Sequence, residues 1–342
     1  MKSFDIILNE ERGSLFTMYL NLESPEFNFT KRPLMVVLPG GGYYMLSDRE
    51  SEIIALQYMS AGYQACVLRY TLRDKAGWPY PLEDYEQTVE YISEHAEEWN
   101  IDMNHMAVVG FSAGGHLAAC TATMAKHKPR AAVCVYPAIL SDAVDFCQLG
   151  MPYPHEHVSP KTSPCFLACA RNDGLTNVNN SLVFAQALEK AGINFELHVY
   201  AYGGHGFSIG TPMATLTPAP PRTANWVSDS ISWLGEIMGA LTYNGFAKPT
   251  LLPTMNADYE PFLSVRCSIN HLRKQGEAVD RLMETAYAPF RKFCEANGYD
   301  FESSLSVIGT GLAKDMMEAH QISSEEIERL DEALSAIPNK LE

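Results

Sequence analysis

A chain of 342 residues with 46% hydrophobic and 19% charged side chains has the make-up of a globular protein and argues against disorder. Its formal net charge of −16 repels phosphate backbones, which argues against nucleic acid as a partner. No apolar run approaches the ~20 residues of a membrane span, and the opening MKSFDIILNEERG lacks the apolar segment of a secretory leader, so no membrane association and a cytoplasmic location are expected.

In chain order, FDIILN (4–9) and SLFTMYLNL (14–22) predict an antiparallel hairpin around Glu11-Arg12-Gly13. RPLMVVLP (32–39) reads as a buried strand ending in Gly40-Gly41-Gly42, followed by a helix over about 49–61 that stops at Gly62. YQACVLRY (63–70) is a strand, 82–98 a helix opened by Pro81, HMAVVGFS (105–112) a strand and AGGHLAACTATMA (113–125) a small-residue helix. Strands follow at 131–139, 164–173 and 195–202, with helices at 181–192 and 223–239. Apolar strands alternating with helices imply a parallel sheet covered on both faces. A TIM barrel also alternates, but the opening hairpin and the turn chemistry below favour an open, doubly wound α/β sheet.

Residues 244–257, with two prolines and a glycine, read as a linker between a catalytic domain over 1–243 and a helical accessory domain over 258–342. Three or four helices are expected in 258–337. Phe262, Val265, Ile269 and Leu272 share one apolar face, and Ser323 with Glu326 forms a capping box. These apolar faces must be covered, by the catalytic domain or by a second copy of the chain, so a homo-oligomer through the C-terminal helices is one expectation. The eight scattered cysteines form no C-x-x-C pair and read as buried small hydrophobes.

The strongest chemical signal is Gly110-Phe111-Ser112-Ala113-Gly114 between a strand and a helix. A serine on such a turn is held in a strained backbone conformation that exposes its hydroxyl, and the small flanking residues avoid clashes. Gly40-Gly41-Gly42, after another buried strand, lets the backbone approach a substrate and present N–H groups to an oxyanion. A nucleophilic serine needs a base and an orienting carboxylate. Asp173 and His205 each stand where the chain leaves the carboxyl end of a strand, in the order acid then histidine. Asp142 and Asp145 are rival acids. His116 reads as a packing or capping residue. His155 and His157 read as solvated loop residues lacking a third metal ligand, and no metal is expected.

PGGGY, VLRYTL, WPYPLEDYEQ, GFSAGGH, RNDGLTNVNNSLVFAQAL, FELHVY and GGHGF occur in the order seen in α/β-hydrolases, and over residues 30–240 the chain resembles the acetyl esterase and xylan (sugar) acetylesterase branch. The resemblance implies a triad of Ser112, Asp173 and His205. It also implies oxyanion-hole amides from Gly41, Gly42 and Ala113, no cofactor, and Asp84 as a structural residue near the site. Two departures stand out. Pro39 replaces the usual histidine before the glycines, so the loop must be held some other way. Asn172-Asp173 replaces the usual Asp-Asp, removing one carboxylate beside the acid.

The expected activity is hydrolysis of short acyl esters, with acetylated sugar the favoured small-molecule substrate. Alternatives are an oligopeptidase or amidase on the same fold, or a catalytically silent binding protein. Tyr43, Tyr44 and Tyr80, with Trp78, are candidates for an aromatic wall against a sugar face.

Overall fold

The structure is a computed structural model that describes residues 1–75, 77–145, 150–215 and 221–340. Cys147, one of the eight cysteines, lies outside the described residues; the other seven are buried free thiols. The chain forms two compact units, Met1–Pro253 and Thr254–Glu342.

The first unit is built on an eight-stranded, mostly parallel sheet. Strands β1 (Lys2–Asn9) and β2 (Ser14–Leu20) form the antiparallel hairpin, with Ile6 opposite Phe16. β2 pairs antiparallel with β4 (Gln64–Arg69), and from there the sheet is parallel through β3 (Arg32–Leu38), β5 (Ile101–Phe111), β6 (Ala131–Val135), β7 (Cys165–Ala170) and β8 (Phe195–Tyr200). The order is β1-β2-β4-β3-β5-β6-β7-β8.

Every residue of β3, β6 and β7 is buried, which is why these strands read as unbroken apolar runs rather than alternating ones. Alternate residues feed two cores. Val36, Val108, Cys134 and Leu167 face α2 (Tyr80–Glu94), α3 (Ala113–Met124) and α5 (Asn179–Lys190), packing with Tyr85, Leu117 and Phe184. Val37, Val109, Val133 and Phe166 face α1 (Glu52–Ser60) and α6 (Asn225–Met238), packing with Tyr58, Trp226 and Trp233. The fold class is α/β, doubly wound, with helices on both faces.

Boundaries shift for local reasons. The strand predicted to run to 139 stops at Val135, because Tyr136 takes a positive φ of 38° that no strand tolerates. The helix predicted over 49–61 is a 3₁₀ turn at Asp48–Glu50 followed by α1. A four-residue helix, α4 (Ser141–Val144), follows β6. After α6 the chain makes a small ribbon, β9 (Leu241–Thr242) with β10 (Gly245–Phe246). It then lies along the same unit: Thr250 and Leu251 amides donate to the Glu236 carbonyl, and the Asn194 amide donates to Pro253.

The second unit holds five described helices where three or four were expected: α7 (Ile269–Leu272), α8 (Glu277–Asn297), α9 (Phe301–Val307), α10 (Ala313–Ala319) and α11 (Ser324–Ser335). They enclose their own core, with Met283 and Phe290 of α8 against Leu305, Met317 and Leu330. Ser323 caps α11 through the Glu326 amide. The apolar face expected from Phe262 to Leu272 is not helical throughout. Phe262 is exposed and forms an isolated bridge with Pro338, and only Ile269–Leu272 is helix.

Candidate active site

The site forms at the carboxyl ends of the central strands, where β5 leaves the sheet between β3 and β6. Ser112 sits on this turn at φ 54°, ψ −115°, outside the regions an L-residue prefers. The turn is closed by the Ser112 amide on the Val135 carbonyl, and the Ser112 carbonyl accepts from His116 and Ala138. The flanking glycines are sterically required. A Cβ on Gly110 would stand 2.0 Å from the Gly114 carbonyl oxygen, and one on Gly114 would stand 2.0 Å from that of Leu38.

His205 Nε2 lies 2.9 Å from Ser112 Oγ, and His205 Nδ1 lies 2.8 Å from Asp173 Oδ2. With Nδ1–H donating to the carboxylate, Nε2 is the lone pair that can take the serine proton. Asp173 is buried and held by its own loop, Oδ1 accepting from the Leu175 and Thr176 amides at 2.8 and 2.9 Å. Thr176 Oγ1 bridges Asp173 Oδ2 (3.1 Å) and the Tyr136 carbonyl (3.0 Å), and stands 3.1 Å from His205 Nδ1. The rival acids are occupied elsewhere: Asp142 accepts from Asn177 at 2.6 Å and Asp145 from the Tyr153 hydroxyl at 2.9 Å. Asn172, standing where a second aspartate was expected, accepts from the Gly203 and Gly204 amides at 3.0 Å each and so ties the acid loop to the histidine loop.

Ser112, His205, Gly41, Gly42 and Ala113 line one cavity of about 600 Å³. Ala113 opens α3, where helix geometry leaves the amide without an intrahelical acceptor. The glycine loop, lacking a histidine at Pro39, is held by other means. Tyr70 donates to the Pro39 carbonyl, the Ser47 amide donates to Gly40, and the Tyr44 and Met45 amides donate to Gly41. Glu50 Oε2 accepts from the Gly40 amide at 2.9 Å, while its Oε1 accepts from the Tyr136 hydroxyl at 2.7 Å. Burial pushes the Glu50 carboxyl upward, opposed by those two hydrogen bonds and by the nearby Arg49 guanidinium.

The tyrosines do not form one wall. Tyr44 lines the cavity, with the Arg73 guanidinium over its ring. Tyr43 is fully buried, its hydroxyl 2.9 Å from His116 Nδ1, so its ring cannot meet a substrate. Tyr80 is not among the cavity's residues and carries the Arg12 guanidinium on its ring face. Trp78 packs edge-on against His116. The buried His116 bridges Tyr43 to the Pro152 carbonyl, and burial lowers its pKa to about 4. Asp84 gathers Arg12, Ser14 and Thr71 in a buried cluster that pins the opening hairpin. Among the described residues, no three His, Cys, Asp or Glu side chains are grouped to hold a metal, and no helix is long and apolar enough to cross a membrane.

Glu50, Tyr136 and Ser208 were not singled out from the sequence. Glu50 reads there as an ordinary acid at a helix start and Tyr136 as a strand residue. Only the positive φ of Tyr136 and Ser208 marks them as special, and that is a property of the fold.

Comparison with known proteins bears on the family of the chain. The family model described as BD-FAE matches residues 20–140. The chain is 31% identical to endo-1,4-beta-xylanase B of Butyrivibrio fibrisolvens, covering 52% of this chain and 33% of that one. It is 30% identical to an acetylxylan esterase of Xylanibacter ruminicola, covering 52% and 41%. The chain thus spans well under half the length of these curated relatives. Among solved structures, MGS-M1, an alpha/beta hydrolase enzyme from a Medee basin deep-sea metagenome library, is 35% identical with a TM-score of 0.65, over 70% of this chain and 98% of that one. An acetyl ester-xyloside bifunctional hydrolase from Caldicellulosiruptor lactoaceticus is 31% identical with a TM-score of 0.58, over 66% and 88%. A sheet of this order, a serine on the β5–α3 turn, and a match to almost the whole of a solved hydrolase together place the chain in the α/β-hydrolase family.

Proposed function

We propose that the protein is a serine carboxylesterase that removes short acyl groups, acetyl above all, from a sugar or oligosaccharide. The observation that carries the reading is the hydrogen-bonded series Ser112–His205–Asp173 opening into a cavity backed by the Gly41–Gly42 loop and the start of α3. In this reading Ser112 Oγ attacks the ester carbonyl as its proton passes to His205 Nε2. The amides of Gly41, Gly42 and Ala113 receive the negative charge of the tetrahedral intermediate. The C–O bond to the alcohol breaks, and the alcohol leaves with the proton from His205. Water, deprotonated by the same nitrogen, then attacks the acyl-enzyme; acid is released and Ser112 regains its proton. Asp173 holds the imidazole in the tautomer that leaves Nε2 free to accept.

The acyl preference rests on the short stretch of chain between β6 and β7, residues 136–164, which leaves little material for an apolar lid over the cavity. Each buried CH₂ is worth ~0.8 kcal/mol, a gain that a long acyl chain without such a lid forfeits. The names of the relatives, an acetylxylan esterase and an acetyl ester-xyloside hydrolase, favour a sugar as the alcohol. The test is a p-nitrophenyl ester series from two to ten carbons, run beside acetylated xylo-oligosaccharides, with Ser112→Ala as control. The expected result is the highest kcat/KM at two to four carbons, release of acetate from the oligosaccharides, and a loss of about 10⁴–10⁶ in kcat for the variant. A profile rising steadily to ten carbons, or a variant retaining a tenth of the activity, overturns the reading.

A further inference from the structure

The glycine loop and the histidine loop are more than 150 residues apart in the chain, yet one chain of buried hydrogen bonds joins them. It starts at the Gly40 amide, beside the proposed oxyanion donors, which donates to Glu50 Oε2 at 2.9 Å. Glu50 Oε1 accepts from the Tyr136 hydroxyl at 2.7 Å, and that hydroxyl accepts from the Ser208 amide at 3.0 Å. Ser208 lies three residues past His205. Its hydroxyl donates to the Arg49 carbonyl, next to Glu50, and its own carbonyl accepts from Trp226 Nε1 at 2.8 Å. The Arg49 side chain closes a second link, Nη1 donating to the carbonyls of Gly206 and Ala214 at 3.0 and 2.9 Å.

Three features show that this bracket is built for one geometry. Tyr136 and Ser208 are non-glycine residues held at φ 38° and 46°, which costs of order 1–3 kcal/mol each and persists only where surroundings dictate it. The carboxylate sits where only a glycine could lie beneath it, since a Cβ on Gly40 would come within 2.6 Å of Glu50 Oε2 and 3.1 Å of Ser112 Cβ. The Tyr136 ring stands edge-on to the His205 imidazole at 5.1 Å between centroids, so the residue that carries the bridge is also the wall behind the base. Both groups facing Glu50 are donors, and a carboxylate, being acceptor-only when ionised, satisfies both. A glutamine of the same size must turn an N–H towards one of them.

We propose that Glu50 and Tyr136 are positioning residues: they fix the glycine loop and the His205 loop in one register, so that the oxyanion donors and the base meet the same reacting carbonyl. The inference rests on the esterase reading above. In acyl transfer, charge moves from the serine to the oxyanion as the proton reaches His205, and a misplacement of about 1 Å at either end costs on the order of 10²-fold. In this chain Glu50 supplies the support that the absent histidine at position 39 does not.

The test uses the full chain with Glu50→Gln, Tyr136→Phe and the double variant. Hydrolysis of p-nitrophenyl acetate is measured per active site, with sites counted by labelling Ser112 with a fluorophosphonate. The expected result is a fall of about 10- to 100-fold in kcat per labelled site for each single variant, with KM within about threefold. The double variant should lie within about threefold of the weaker single one, because the two residues act as one unit. A purely structural role would lower the melting temperature and the number of labelled sites and leave kcat per site unchanged. The proposal is overturned if either folded variant keeps kcat per site within threefold of the parent, or if the two losses multiply. Should Tyr136→Phe not fold, Glu50→Gln decides alone by the same criterion. An inactive parent, or a Ser112→Ala control as active as the parent, sinks the esterase reading instead.

Discussion

His205 divides its two nitrogens between partners that do different work. Nε2 faces Ser112, and Nδ1 faces Asp173 with Thr176 beside it. In the proposed esterase reading, loss of the imidazole removes the base, whereas loss of the Asp173 charge leaves a base free to adopt the wrong tautomer. His205→Ala is therefore expected to fall within about tenfold of Ser112→Ala, with Asp173→Asn somewhat milder, in kcat for p-nitrophenyl acetate. Asp142→Asn, whose carboxylate meets Asn177 and not His205, should stay within about threefold of the parent. A collapse in Asp142→Asn with a normal Asp173→Asn would reassign the acid. Ser112, Asp173 and His205 could be found in the sequence because chain order and strand ends mark them. Glu50 and Tyr136 could not, because their contact joins positions 86 residues apart and neither carries a local motif.

At the scale of elements, α3 shows how a helix chosen for close approach also accepts a polar guest. Its small residues let it pack under β3 and β6, and His116 is buried one turn after Ser112. Its ring joins the glycine loop through Tyr43 to the segment at Pro152, as a neutral imidazole whose pKa burial lowers from 6.5 to about 4. Below pH 6.5 the unfolded chain takes up a proton at this position that the folded chain refuses until about pH 4. Stability contributed here is therefore complete above pH 6.5 and falls as the pH drops through that window, by up to about 3 kcal/mol. Urea unfolding from pH 7.5 to 4 should show that slope, and His116→Gln should flatten it. Equal slopes in the two proteins would remove His116 from the account. The elements themselves were legible from the sequence because strands buried on both faces leave an unmistakable apolar run. Their ends were less so. β6 stops at Val135 where the strained backbone of Tyr136 begins, and no side-chain pattern announces a positive φ.

For the molecule as a whole, the division at Pro253 has a direct consequence. Residues 245–253 are hydrogen-bonded to α6 and to Asn194, so the proline-containing stretch after β9 is partly wall of the first unit and not free connector. The residues that line the proposed active site all lie before that point. A chain ending at Pro253 is expected to fold and to keep kcat for p-nitrophenyl acetate within about threefold, whereas one ending at Gly245 should lose stability with the strip it lacks. Thermal melts and ester turnover of both truncated chains check this. A folded 1–253 chain without activity would give the helical unit a share in catalysis. The helical unit was the least legible part, because its short helices and the exposed Phe262 blur the periodicity that identifies a longer helix.

The backbone at Ser112 has one further consequence. Because φ 54° there burdens any residue with a Cβ, the serine costs the folded chain of order 1–3 kcal/mol whether or not substrate is present. Alanine keeps that burden and glycine sheds it, though glycine also gains freedom in the unfolded chain. Ser112→Gly should therefore melt above Ser112→Ala by several degrees and hydrolyse nothing, which paired calorimetry can verify. A library of variants sorted by heat resistance alone would then enrich glycine at position 112, and each round of such sorting would harvest sturdier proteins with less chemistry in them.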